Sequence, residues 1–211
     1  MTIAIQIDPA FDVETYDGLI AYIIAHLELD SESSQQVPTF IRKAEYRLDR
    51  LCTVPQRENS ITRIASIGDQ VVPLPSDCRS VLDVQSDRTL KQVSLATLND
   101  CYTEEDGIPD LYAVSNLNLL LGPTPSEETN LEITYLTRLP PLSAQNQANW
   151  LLSNNADAYI YGALFEASTW LEDLDAAAQY RAEMLSIIGE VNEQAQQYRF
   201  STPLLPNLVV M

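Results

Sequence analysis

The stretch NWLLSNNADAYIYGALFEASTWLED, residues 149–173, reads as a helix with two packing faces. Wound at about 100° per residue, Tyr159, Ile160, Ala163, Leu164, Ala167, Trp170 and Leu171 form one broad inward stripe. The opposite side is not polar either. Tyr161 and Phe165 stand one turn apart there, beside Gly162, Ser168 and Thr169. A second apolar face calls for a second partner, either another part of the same chain, such as a β-rich segment, or another molecule.

Working outward, three more helices are expected. One runs from about Tyr16 to Leu29, with Thr15 as N-cap, Asp17 in the first turn and an apolar stripe of Tyr16, Leu19, Ile20, Ile23, Ile24 and Leu27. The next starts near Pro38 and turns Phe40, Ile41, Ala44, Leu48 and Leu51 inward. The last spans roughly Asp175 to Tyr198, with Ala177, Tyr180, Met184, Ile187, Ile188, Val191, Ala195 and Tyr198 inward. Between the helical ends the pattern changes from a period of 3.6 toward a period of 2. ITRIAS, SVLDV and NLEITYLTR are strand candidates, the last with Leu131, Ile133 and Tyr135 on one face. VVPLP suits an edge because its prolines cannot serve a central ladder. LYAVSNLNLLLGPTP reads as a hairpin turning near Ser115 and Asn116, and LATLNDCY as a short helix. The expected fold is α+β: a four-helix bundle formed by residues 15–60 and 150–199, an inserted mainly β domain over 61–149, an N-terminal arm over 1–14, and an extended apolar tail over 200–211.

Composition narrows the function. The 211 residues are 45% hydrophobic, enough for a packed core, and no apolar run reaches the length of a membrane span. MTIAIQIDPAFDVE lacks the basic start of a secretory signal, and no membrane association is expected. Twelve Lys and Arg face 30 acids, a formal charge of −18 that repels nucleic acid phosphates. Cys52, Cys78 and Cys101 form no CxxC pair and are expected as reduced, buried thiols. The basic residues are uneven: Arg42, Lys43, Arg47, Arg50 and Arg57 fall in one short region. Lys43, Arg47 and Arg50 line one helix flank. They form either a solvated face paired with Glu45 and Asp49 or a contact to an acidic partner.

Residues that carry chemistry are scarce. His26 is the one histidine, at the rim of an apolar stripe, and no Ser/His/Asp set forms without it. The six glycines never cluster into a phosphate-cradling loop. PSEETN and YTEEDG lack calcium-loop spacing, and adjacent acids such as Glu104 and Glu105 arise readily in so acidic a chain. No catalytic residue, metal ligand or cofactor is assigned, and an interaction protein is expected rather than an enzyme.

EITYLTRLPPLSAQNQANWLL followed by ADAYIYGALFEASTWLED resembles the head–tail adaptor proteins of tailed bacteriophages. The resemblance rests on Tyr135 in a strand, the Pro-x-Leu-Ser step of Pro140, Leu142 and Ser143, the Asn149–Leu152 run, and Tyr159, Tyr161, Gly162, Ala163 and Leu164. TYDGLIAYIIAHL, VPTFIRKAEYRLDR and VVPLPSDCRSVLDV fit the same family, and the similarity covers about residues 15–199. It implies a virion protein at the head–tail junction that forms a ring, typically of twelve copies, beneath the portal. Its partners would be the portal protein, a tail-side connector or nozzle protein, its own copies, and double-stranded DNA that passes through without specific binding. On this reading Tyr161, Gly162 and Phe165 meet the neighbouring subunit. Pro203 and Pro206 stop the last helix from continuing, and the apolar tail, Phe200, Leu204, Leu205, Leu208, Val209, Val210 and Met211, is expected to dock in a groove of the portal or of a neighbouring subunit, the alternative being that it folds back on its own bundle. Another connector or tail-completion protein, or a helical binding module outside any virion, are the alternatives.

Overall fold

The computed structural model describes residues 11–101 and 106–200, the last three of these by their backbone alone. The chain divides into two compact units, one from residues 1–54 and 139–211 and one from residues 55–138. The fold is α+β.

The second unit is built on strands. A three-stranded antiparallel sheet has β9 (Thr129–Thr137) between β1 (Glu58–Ala65) and β3 (Cys78–Gln85). The expected face of β9 is buried, with Leu131, Ile133 and Tyr135 all at 2% exposure or less. A four-stranded sheet runs in the order β2 (Val71–Pro73), β7 (Asn118–Gly122), β6 (Leu111–Ser115), β4 (Lys91–Gln92). The proline-bearing β2 lies at the edge, where a missing N–H costs no ladder bond. The β6–β7 hairpin turns through Asn116 and Leu117, at φ 48° and 60°. Two successive left-handed residues match the right-handed twist of the strands. The short pair β5 (Asp106–Gly107) and β8 (Thr124–Pro125) and the helix α3 (Leu95–Cys101) complete the unit. Arg57 belongs here and not to the basic helix flank. Its guanidinium is buried and donates from Nε and Nη2 to the Thr137 carbonyl at 3.0 and 2.6 Å.

The first unit is helical: α1 (Tyr16–His26), α2 (Val37–Leu51) after a 3₁₀ turn at Ser33–Gln36, α4 (Trp150–Asn154), α5 (Ala156–Trp170) and α6 (Leu174–Phe200). Thr15 caps α1 as expected, its Oγ1 accepting from the Gly18 amide at 3.2 Å. Gly18 has no room for a side chain, because a Cβ would stand 1.9 Å from the Asp12 carbonyl oxygen. The stretch expected as one helix from Asn149 is two. The Asn149 side chain caps α4, accepting from the Leu152 amide at 3.0 Å, and Asn155 leaves helical geometry at φ −144°, ψ 61° before α5 begins. α5 packs against both α2 and α6, and this supplies its two apolar faces.

Several residues expected inward lie outside. Leu51 ends α2 at the margin of the core and is 37% exposed, and Trp170 and Leu171 close α5 at 47% and 45%. Cys101 is exposed, whereas Cys52 and Cys78 are buried.

The segment after β9 returns to the helices and is tied to α2 by carboxylates. The Leu139 amide donates to Asp49 Oδ1 at 2.8 Å, and the Leu142 amide to Glu45 Oε1 at 2.6 Å. Glu45 also takes a hydrogen bond from Tyr159, whose hydroxyl accepts from Asn149 Nδ2 at 2.7 Å. Asn149 Nδ2 donates again to the Pro140 carbonyl at 2.8 Å. Burial pushes the Glu45 carboxyl above its ordinary pKa, against the opposing pull of the Leu142 amide, Arg42 and Tyr159.

A raised carboxyl pKa means that the folded chain holds this proton more tightly than the unfolded one. The stability it adds is complete below the unfolded glutamate value of about 4.3 and is lost as pH rises through the folded value. Glu45→Gln keeps an acceptor for Leu142 but cannot titrate. Urea unfolding of the two proteins should therefore show a wild-type advantage at pH 4 that shrinks toward pH 7. A difference that grows with pH would contradict the assignment. Glu45→Ala strands the buried Leu142 amide and should cost about 1–3 kcal/mol at any pH.

Candidate interaction surfaces of the helical unit

α2 carries opposite chemistry on its two flanks. Val37, Phe40, Ile41, Ala44 and Leu48 are buried, with Glu45 among them. The outer flank presents Lys43, Tyr46, Arg47 and Arg50, and Tyr46 is 59% exposed. Arg47 is held twice: its Nε donates to the Glu166 carboxylate, and its guanidinium lies 4.8 Å from the Phe165 ring centroid. Such a planar cation over a ring face is worth about 0.5–1 kcal/mol at an exposed site. Arg42 lies 5.5 Å from the centroid of the Tyr46 ring and 3.9 Å from Glu45 Oε2. The pairing expected of Lys43, Arg47 and Arg50 with Glu45 and Asp49 is not what forms. Glu45 turns into the core toward Leu142, Asp49 accepts from Leu139, and Arg47 takes Glu166 from α5.

This flank borders two hollows. Lys43, Tyr46, Arg47, Asp49, Arg50 and Glu166 line an open groove of about 590 Å³. Beside it, Arg47, Arg50, Leu51, Phe165, Arg181, Met184 and Leu185 line a smaller one of about 270 Å³, with an apolar floor and a cationic rim.

The α5 residues expected at a subunit contact lie in different settings. Gly162 is buried within its own unit, and a Cβ added there would stand 3.1 Å from Ala44 Cβ on α2 and 3.4 Å from Met184 Sδ on α6. The close approach that this glycine permits is thus between helices of one chain. Tyr161 and Phe165 are half-buried at the margin of the core. The Tyr161 ring packs 6.2 Å from that of Tyr180. The proposed tail contact lies outside the described residues from position 201 onward, as does the side chain of Phe200. His26 stacks on Tyr22 at 5.7 Å and sits 3.3 Å from the Tyr180 hydroxyl, and burial lowers its pKa. Among the described residues no group of acids, cysteines and histidine is arranged to hold a metal, and no helix is long and apolar enough to cross a membrane.

Sequence reasoning missed the turn between α5 and α6. The Glu172 amide donates to the Thr169 carbonyl at 3.4 Å and the Asp173 amide to the Ser168 carbonyl at 3.0 Å. These bonds close a C-terminal turn whose pivot, Glu172, has φ 62°. Asp173 Oδ1 then caps α6, accepting from the Ala176 amide at 3.1 Å. The turn presents Leu174, 71% exposed, beside the half-exposed Trp170 and Leu171. The available signal was the run of alternating acids and leucines, LEDLD, which no buried helix end would carry.

The chain thus joins a helical unit to a strand-built one. A model of the SU10 adaptor protein family matches residues 14–207. The match spans both units, and the chain belongs to this family of phage head–tail adaptors, which are structural components of the virion. No curated protein matches the chain significantly.

Crowding at Gly162 yields a direct test. Gly162→Leu forces a side chain between Ala44 and Met184 and should lower unfolding stability by about 1–3 kcal/mol, measured in urea. Gly162→Ala should fall near neutral, because a helix gain of about 1 kcal/mol offsets the squeeze against Ala44. A fully stable Leu variant would show that the helices do not approach this closely.

Proposed function

We propose that the protein is a head–tail adaptor that forms a ring, typically of twelve copies, beneath the portal. There it joins capsid to tail at the head–tail junction and lines the DNA channel. The observation that carries this reading is the family match over residues 14–207, which takes in both units. The formal charge of −18 supports the channel role, because a wall of carboxylates offers phosphates no partner and keeps a sliding duplex centred. The portal protein lies on one side and a tail-side connector or nozzle protein on the other. The helical unit, expected over 15–60 and 150–199 but divided from the strand-built unit after residues 54 and 138, carries the ring, and the strand-built unit expected over 61–149 is the insertion. The half-buried Tyr161 and Phe165 border the subunit contact. The apolar Leu204, Leu205, Leu208, Val209 and Val210, with Phe200, anchor the ring in a portal groove. One such tail is a marginal anchor. Repetition around a ring makes the attachment firm through effective concentration.

Self-repulsion keeps so acidic a chain from forming rings unaided, and the portal supplies the template. Alone, the protein should run as a monomer or small oligomer in native mass spectrometry at low salt. Mixed with portal rings it should give stacked rings in electron micrographs. Stable dodecamers of the isolated protein would refute the template, and portal rings that stay bare would refute the adaptor reading. Truncation after Arg199 should leave the melting transition unchanged and abolish portal binding. Undiminished binding by the truncated chain would rule out the anchor.

The subunit contact has its own check. Phe165→Asp should give a folded monomer that fails to build rings on the portal. A variant that folds and still builds them places the contact elsewhere.

A further inference from the structure

The helical unit carries two surface features that fit each other and that one copy cannot bring together. The first is the hollow floored by Phe165, Met184 and Leu185 and rimmed by Arg50 and Arg181, with Lys43 in the adjoining groove. The second is the α5–α6 turn, with Trp170, Leu171 and Leu174 exposed among Glu172, Asp173 and Asp175. We propose that the turn of one copy seats in the hollow of the next, head to tail, and that this is the contact that propagates the ring. The proposal deepens the ring reading above by naming the surfaces that meet.

Three observations support it. Charge is the first. Every Lys and Arg of the helical unit whose side chain is described, namely Arg42, Lys43, Arg47, Arg50 and Arg181, lies on α2 or on the neighbouring part of α6. Arg42 and Arg47 have carboxylate partners within the chain, while Lys43, Arg50 and Arg181 form no ion pair with a described residue. The turn offers three carboxylates, likewise without a cationic partner among the described residues. In a chain of charge −18, another copy is a ready source of acid for that rim.

Apolar match is the second observation. The hollow has a floor of one phenyl ring, a thioether and leucine between its arginines, and the turn exposes an indole and two leucines beside its acids. Burial of these groups in water-free contact favours association, and the charges around them fix the register.

Rigidity and placement are the third. The turn is closed by the Glu172 and Asp173 amide bonds and by the Asp173 cap, so little order is lost on docking. Glutamate occupies its left-handed pivot, a conformation that glycine adopts more readily. Leu174 begins α6 and Leu185 lies eleven residues along it, about 16 Å at 1.5 Å per residue. The turn therefore cannot fold back into its own hollow. Two different patches meeting head to tail make a heterologous contact, and repetition of such a contact closes into a ring when the rotation allows.

The chain's lysine content makes the contact directly testable. Its lysines are Lys43 and Lys91, so in a Lys91→Arg background a carbodiimide can join carboxylates to Lys43 as the one lysine amine. With concentrated protein mixed from isotopically light and heavy preparations, the expected products are light–heavy cross-links from Lys43 to Glu172, Asp173 or Asp175. Cross-links from Lys43 only to acids elsewhere would overturn the proposal. Arg50→Glu/Arg181→Glu and Glu172→Arg/Asp175→Arg should each lower association at least about tenfold, as like charges then face each other. Mixing the two variants should restore it, because each reversed surface then meets its complement. Failure of the mixture to recover would also overturn the contact. On the portal, rings built normally by Arg50→Glu/Arg181→Glu would sink this contact and leave the adaptor reading standing. Bare portals with the unmodified protein would sink the adaptor reading instead, with the Lys43 cross-links still judging the contact.

Discussion

A carboxylate buried on the inner flank of a basic helix organises the helical unit. Glu45 receives the Leu142 amide and the Tyr159 hydroxyl, and Asn149 joins that hydroxyl to the Pro140 carbonyl while capping α4. One acid thus connects α2, the segment that returns from the β unit, and α5. Taking a charge out of water is costly unless its hydrogen bonds are made. Segment 139–149 lacks helix or strand and has few other ways to satisfy its amides. Its Leu139 and Leu142 amides meet the acids of α2, and Leu139 and Leu142 themselves enter the core.

That network explains why the most recognisable letters in the sequence are where they are. Pro140, Leu142, Asn149 and Tyr159 are spaced to reach one another and Glu45. None of them forms a surface patch. Gly162 belongs to the same logic, since α5 lies between α2 and α6 and a side chain there would meet both. Much of what carries the resemblance to the family therefore holds the helical unit together.

This division also accounts for what could be read in advance. The β9 face, the edge position of β2, the hairpin at Asn116, the Thr15 cap and most of the α6 stripe follow from local periodicity and turn chemistry, which depend on near neighbours alone. The break at Asn155 was not legible, because the flanking residues suit a helix and only the Asn149 cap and the Leu151–Asn155 bond fix where the first turn stops. Trp170 and Leu171 were misread for a related reason. Their spacing is helical, but periodicity says nothing about how far the partner helix extends, and Trp170 stays 47% exposed although its ring lies 5.8 Å from that of Phe40 on α2. Among the site residues, the basic flank was legible as a flank. Its true partners were not, because Glu166 lies more than a hundred positions away from Arg47.

The placement of charge bears on how so acidic a chain can assemble at all. Spread evenly, a charge of −18 would oppose every approach of one copy to another. In the helical unit it is not spread evenly: the cations whose side chains are described gather around α2 and mid-α6, and acids crowd the turn that begins α6. A unit charged in this way has a direction. Copies aligned head to tail place opposite signs together, while turn against turn brings acid to acid. Screening over about 8 Å at physiological salt weakens the distant repulsion more than the attraction at contact. Net charge then selects against indiscriminate aggregation, and local charge selects one orientation. In the proposed ring, that combination would join the copies while leaving a wall that repels DNA.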